Sequence, residues 1–167
     1  SGSQKIQETT EWGLDHGAWS VLCHLFPEHT IPCFEMSIDY SQPLAYHVTL
    51  AQELQFLRER GVLIIGSGNI VHNLQASIPN LSMGQEHFAY DWAQEFDAFT
   101  TQKILDKDLS SLIDYTRAPG GLKSVPTPDH YIPMLYALAL ARKNEDVRFT
   151  YDELVYGGIS MRCFEIA

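Results

Sequence analysis

A chain of 167 residues with net charge −10 has room for one domain with a sizeable core, since domains cluster around roughly 100–150 residues. Its 45% hydrophobic and 19% charged residues match a globular protein and exclude a disordered one. The eleven Lys and Arg are scattered along the chain, only Arg142 and Lys143 being adjacent, leaving no basic stripe for nucleic acid or an anionic membrane surface.

No apolar run approaches the ~20 residues that span a bilayer, and the N-terminus lacks the basic and apolar regions of a signal peptide. Cys23, Cys33 and Cys163 are odd in number and widely spaced, which reads as reduced thiols in a soluble, cytoplasmic protein. Residues 1–11 read as a tag or flexible segment, and residues 12–167 as the folded domain.

In chain order, "TIPCFEMSID" (Thr30 to Asp39) is short and partly alternating, which predicts a strand. From Tyr46 to Arg60, Leu50, Ala51, Leu54 and Leu57 recur at three- and four-residue spacings, which predicts an amphipathic helix stopped by Gly61. "VLIIG" then reads as a strand covered on both faces. Strand, helix, strand predicts a βαβ unit, and hence an α/β fold with a mostly parallel central sheet flanked by helices.

After a loop around Pro79 to Gly84, Phe88, Trp92, Phe96 and Phe99 predict a long helix over His87 to about Leu105, followed by a short one around Leu109 to Tyr115. "RAPGGLKSVPTPDH" is a loop by its Gly and Pro content. A further helix is expected at "TPDHYIPMLYALALARK", with Thr127 as N-cap, His130 in the first turn and a kink at Pro133. The ending "RFTYDELVYGGISMRCFEIA" reads as a C-terminal β-hairpin about Gly157-Gly158.

Of seven histidines, three stand in settings that suit chemistry. His72 follows the apolar run through "GSGN", and in open α/β sheets ligands bind beyond the carboxyl ends of strands. Small residues there allow close approach of a substrate or metal; on spacing alone the alternative, a turn with His72 packed beneath it, is equally good. "GSGNIV" lacks the third glycine of a dinucleotide fingerprint, and no Lys-Ser/Thr follows it. At a helix N-terminus His130 would be kept neutral, as a metal ligand must be, although alone it reads better as a solvated first-turn residue. His16, in "GLDHGAW", has Asp15 beside it, and a carboxylate can orient an imidazole. His24, His29, His47 and His87 read as structural or solvated.

"GLDHGAW", "IPCFEMSID", "VLIIGSGNIVHNL" and "PTPDHYIPMLYAL", in this order, resemble the class III extradiol ring-cleavage dioxygenases, in their DOPA 4,5-dioxygenase-like branch. The likeness runs from about Trp12 through the closing "GGISMRCFEIA". It implies a non-haem metal site, most commonly Fe(II) with Zn(II) also found, that opens a catechol ring with O2. By motif, His130 corresponds to a metal ligand. His72 corresponds to the active-site acid/base beside the metal, close enough to ligate. His16 corresponds to a pocket histidine that contacts substrate or oxygen, with Asp15 and Asn73 in the substrate-binding surroundings.

Imidazole and carboxylate ligands with open positions suit Fe(II), and a histidine can take and return a catechol proton near neutrality. Family members carry further metal-binding histidines ahead of the "GLDHG" motif, and no residue here matches them. The expectation is therefore the C-terminal portion of a catalytic domain, completed by another segment or associated with a second copy. The alternative from another class is a non-enzymatic binding or scaffold relative that retains the fold and pocket. A Zn-dependent hydrolase ranks last, having no H-E-x-x-H signature.

Overall fold

A computed structural model describes residues 6–167. The chain divides into two compact units, Ser1–Asp39 and Tyr40–Ala167. In the first, α1 (His16–Leu25) starts at Asp15, whose Oδ1 accepts the Ala18 N–H at 2.8 Å. Such a cap satisfies one of the amide groups left open at a helix start. Residues 30–39, expected as a strand, form no ladder.

The second unit opens with α2 (Leu44–Glu53) and α3 (Phe56–Glu59). The predicted continuous helix is broken by a turn at Leu54–Gln55, and Gly61 ends it with φ 75°. In α2 the buried Val48, Leu50 and Ala51 lie on the face turned inward. His47 is fully buried, its Nδ1 3.1 Å from the Tyr136 hydroxyl, so its structural reading holds.

The "VLIIG" segment is not a strand. Residues 62–66 join no ladder among the described residues, and Leu63 and Ile65 are exposed. Apolar, β-branched composition favours extension, but a strand also needs a neighbour for its amides. A parallel central sheet is accordingly not found among the described residues, where the ladders are short and antiparallel.

The predicted loop at Pro79 to Gly84 is largely helix: α4 (Leu74–Ser82) is capped by Asn73, which accepts the Ala76 N–H at 3.0 Å, and carries Pro79 inside it. The long aromatic helix is α5 (Asp91–Leu105), followed by α6 (Leu109–Ile113) and a 3-10 turn at Tyr115–Arg117. The Gly/Pro-rich stretch contains the single turn α7 (Gly121–Ser124).

The next helix, α8 (Ile132–Ala139), starts later than expected. Thr127 is not its cap, and His130 sits in the turn preceding it. Pro133 falls within the first two helical positions, where its missing N–H has no partner to lose. The basis for an interior kink is therefore gone. Phe96, Ile104, Leu112, Tyr131 and Leu135 are fully buried and form the core of this unit.

Four short strands close the chain. β1 (Val147–Tyr151) pairs with β4 (Cys163–Ile166), and inside them β2 (Leu154–Val155) pairs with β3 (Ile159–Ser160) through the expected reversal at Gly157-Gly158. Gly157 takes φ 86°, a left-handed conformation that L side chains resist.

Candidate active site

Two of the three singled-out histidines meet. The His72 and His130 rings stack with centroids 3.6 Å apart and planes 16° from parallel. Each is held by its backbone. The His72 N–H donates to the Ser124 carbonyl at 2.8 Å, and His72 forms an antiparallel bridge with Ile159. The His130 carbonyl accepts the Asn69 N–H at 2.9 Å.

The rings differ in surroundings. Burial, reinforced by the neighbouring His130 and opposed by Asp129, holds the His72 imidazole below the usual histidine range. A neutral ring near pH 7 follows, able to accept a proton. Asp129 Oδ2 lies 3.4 Å from His130 Nε2. Burial alone would raise the Asp129 carboxyl, but hydrogen bonds from Thr127 and Tyr40, with the His130 charge, bring it below the usual range. Tyr40, an exposed residue, is in turn pushed up to about 12 by partial desolvation, with Asp129 adding to the shift.

Tyr40, Asp129 and His130 thus form a chain of polar groups ending at the ring pair. Asp129 was visible in the motif only as a neighbour of His130, and Tyr40, far away in sequence, carries no local signal.

The remaining predicted residues have other partners. Asn73 caps α4 with its oxygen and donates its Nδ2 to the Lys123 carbonyl at 2.8 Å, so both ends of the amide serve backbone groups. In the first unit, His16 is exposed at the start of α1, and the Asp15 carboxylate is engaged as the helix cap rather than at the imidazole. Open concavities of about 410 and 350 Å³ elsewhere, the first between Phe99, Ser111 and Arg117 and the second between Trp92, Thr116 and Leu122, include neither histidine of the pair.

Catalytic metals are normally held by three protein ligands. Among the described residues no group of three His, Cys, Asp or Glu side chains is placed to hold one. The stacking leads to the same conclusion: imidazole lone pairs lie in the ring plane, and two nearly parallel planes do not aim them at one point. These residues do not by themselves fit a complete metal centre.

Residues 3–161 match the family described as the catalytic LigB subunit of aromatic ring-opening dioxygenase. The chain belongs to this family. It is similar to a 4,5-DOPA dioxygenase extradiol of Escherichia coli (strain K12), 33% identical over 158 residues, which are 93% of this chain and 57% of the relative. A protein of the same description from Beta vulgaris is 31% identical over 91% of this chain and 55% of its own length. The crystal structure of uncharacterized protein JW3007 from Escherichia coli K12 superposes with a TM-score of 0.81 at 32% identity, covering 96% of this chain and 65% of that one. The chain therefore spans a little over half the length of the curated relatives it matches. The likeness carries the fold of this LigB family member, and it places the "GLDHG", "GNIVHNL" and "PTPDHYIP" motifs inside the matched region.

Proposed function

We propose that this LigB family chain is the portion of an extradiol dioxygenase that supplies acid/base chemistry for ring opening of a catechol, DOPA-like in character, with O2. The observation that carries this reading is the His72–His130 pair, with rings 3.6 Å apart and His72 kept neutral by its surroundings. A neutral imidazole can take the proton of a catechol hydroxyl and return one as the ring opens, a role that commonly contributes 10²–10⁴-fold in rate.

His130 would present its ring as one ligand of the Fe(II) or Zn(II) that the resemblance implies, with Asp129 and Tyr40 fixing its surroundings. In this reading His16 is a substrate-facing residue, and Asp15 and Asn73 serve the substrate-side motifs as the caps of α1 and α4. The curated relatives named for extradiol DOPA cleavage support it. Self-association, or completion by further polypeptide, also belongs to the reading; the exposed Leu63 and Ile65 support it. The three free thiols fit a reducing, cytoplasmic setting. No helix among the described residues is long and apolar enough to cross a membrane.

The test is anaerobic loading of the protein with Fe(II), addition of DOPA or a simple catechol, and then of O2, following O2 uptake and the yellow ring-opened product. Turnover that His72→Ala abolishes supports the reading. Undiminished turnover in that variant removes His72 from the mechanism.

The incomplete donor set favours a second reading, a binding or scaffold relative that keeps the fold without redox chemistry. Metal analysis separates the two. Stoichiometric Fe or Zn lost in His130→Ala argues for the enzyme, and a metal-free, catechol-inert protein argues for the scaffold.

A further inference from the structure

The glycines before His72 are expected to leave room for a substrate or metal. In the fold, that room is taken by the chain itself. A Cβ on Gly68 would sit 2.2 Å from the His130 carbonyl oxygen, and one on Gly66 would sit 2.4 Å from that of Pro133. Both are far inside van der Waals contact, so the "GSG" segment lies against the backbone that carries His130 into α8.

Asn69 joins the two segments. Its N–H donates to the His130 carbonyl at 2.9 Å, and its Nδ2 donates to the Ser160 carbonyl at 2.8 Å. Ser160 is also tied to the other histidine arm, because its N–H donates to the Val71 carbonyl at 2.9 Å, one residue before His72. The Ser160 hydroxyl bonds Asp97 Oδ1 at 2.9 Å, and Asp97 is paired with Arg162 at 2.5 Å. Both histidine arms therefore take their position from β3, which the Asp97–Arg162 pair holds in turn.

We propose that Asn69, together with Gly66 and Gly68, is a latch that sets the His130 ring against the His72 ring, with Asn69 as a positioning residue. Its importance for catalysis rests on the dioxygenase reading; the latch itself does not. A side chain at position 68 must displace the His130 carbonyl by more than about 1 Å to reach an ordinary contact, and a misplacement of about 1 Å in a reacting group already lowers a rate about 10²-fold. Asn69→Ala adds no atoms, keeps the N–H bond to the His130 carbonyl and removes the Nδ2 bond to Ser160, so it frees the joined segments from β3 without a clash.

The experiment is NMR of the protein with labelled histidines, without substrate, reading the cross-relaxation peak between the His72 and His130 ring protons. The wild-type protein gives a strong peak. Asn69→Ala and Gly68→Ala weaken or lose it, while Ile104→Ala, which opens a cavity in α5 away from the latch, lowers the melting temperature and keeps the peak. Should Gly68→Ala fail to fold, Asn69→Ala carries the test. A peak of wild-type strength in folded Asn69→Ala, or its absence from the wild-type protein, overturns the latch. Because the readout needs no turnover, a protein inert toward catechols would sink the functional reading and leave the latch standing.

Discussion

Asp97 and Arg162 form an ion pair closed off from water: their side chains are 8% and 10% exposed, and Nη2 lies 2.5 Å from Oδ2. The pair joins α5 to the chain just beyond β3, 65 residues apart. The other Asp97 oxygen accepts both Arg162 Nε and the Ser160 hydroxyl.

Removing one member leaves a buried charge alone, which costs about 3–5 kcal/mol. Asp97→Ala should therefore lower the unfolding free energy by about that amount in urea titrations. Asp97→Ala with Arg162→Met should recover part of it, because no unpaired charge remains. A loss under 1 kcal/mol in the single variant would mean that the carboxylate is not desolvated in solution.

Replacing His72 tests chemistry with little effect on folding, since the bonds that fix this position come from its main chain. On the dioxygenase reading, His72→Ala should lower catechol-dependent O2 uptake by about 10²-fold or more, with a thermal midpoint within a few degrees of the parent. On the same reading, His130→Ala should match it in activity and lose whatever metal the parent protein takes up.

Arg58 ties α3 to the chain after α8. It forms a two-point pair with Glu145 at 2.7 and 2.8 Å and also donates to the Leu140 carbonyl. The Arg58 guanidinium, helped by the Arg142 N–H, pulls the Glu145 carboxyl down to about 2. A carboxyl depressed in the folded state contributes stability that is present above its ordinary pKa and is lost as pH falls from about 4.5 toward 2. Arg58→Met should remove this contribution, so parent and variant should converge in urea midpoint across that window and differ most at pH 6–7. A constant gap between pH 7 and pH 3 would contradict the pairing.

Gly157 combines a left-handed backbone with crowding: a Cβ there would lie 2.6 Å from both Asn80 Nδ2 and the Tyr90 ring. Backbone strain and overpacking should together destabilise Gly157→Ala by about 3 kcal/mol. Gly84, also at positive φ but with open space around it, should lose only about 1–2 kcal/mol on the same change. Chemical unfolding of the two variants checks the difference.

What the sequence made legible was local. The apolar spacing of Leu50, Ala51 and Leu54 and the aromatic spacing of Trp92, Phe96 and Phe99 marked α2 and α5, because helix periodicity is written in adjacent turns. The Gly157-Gly158 reversal was marked by its own residues. "VLIIG" misled because its composition reports a preference for extension and says nothing of a pairing partner. The start of α8 was misplaced because Thr127-Pro128 offers a plausible cap four residues before the turn actually ends. At the site, the family motifs pointed to His72 and His130, and their stacking was not readable. It depends on Asn69, Ser160, Asp97 and Arg162, which come together only through the fold.

The C-terminal hairpin lends no side chain to the histidine pair, yet both arms are measured against its second strand. A chain cut after Val155 would keep every residue that sequence motifs assign to the chemistry and lose the ruler that spaces them. In this protein the last dozen residues hold the two histidine arms in register by geometry alone.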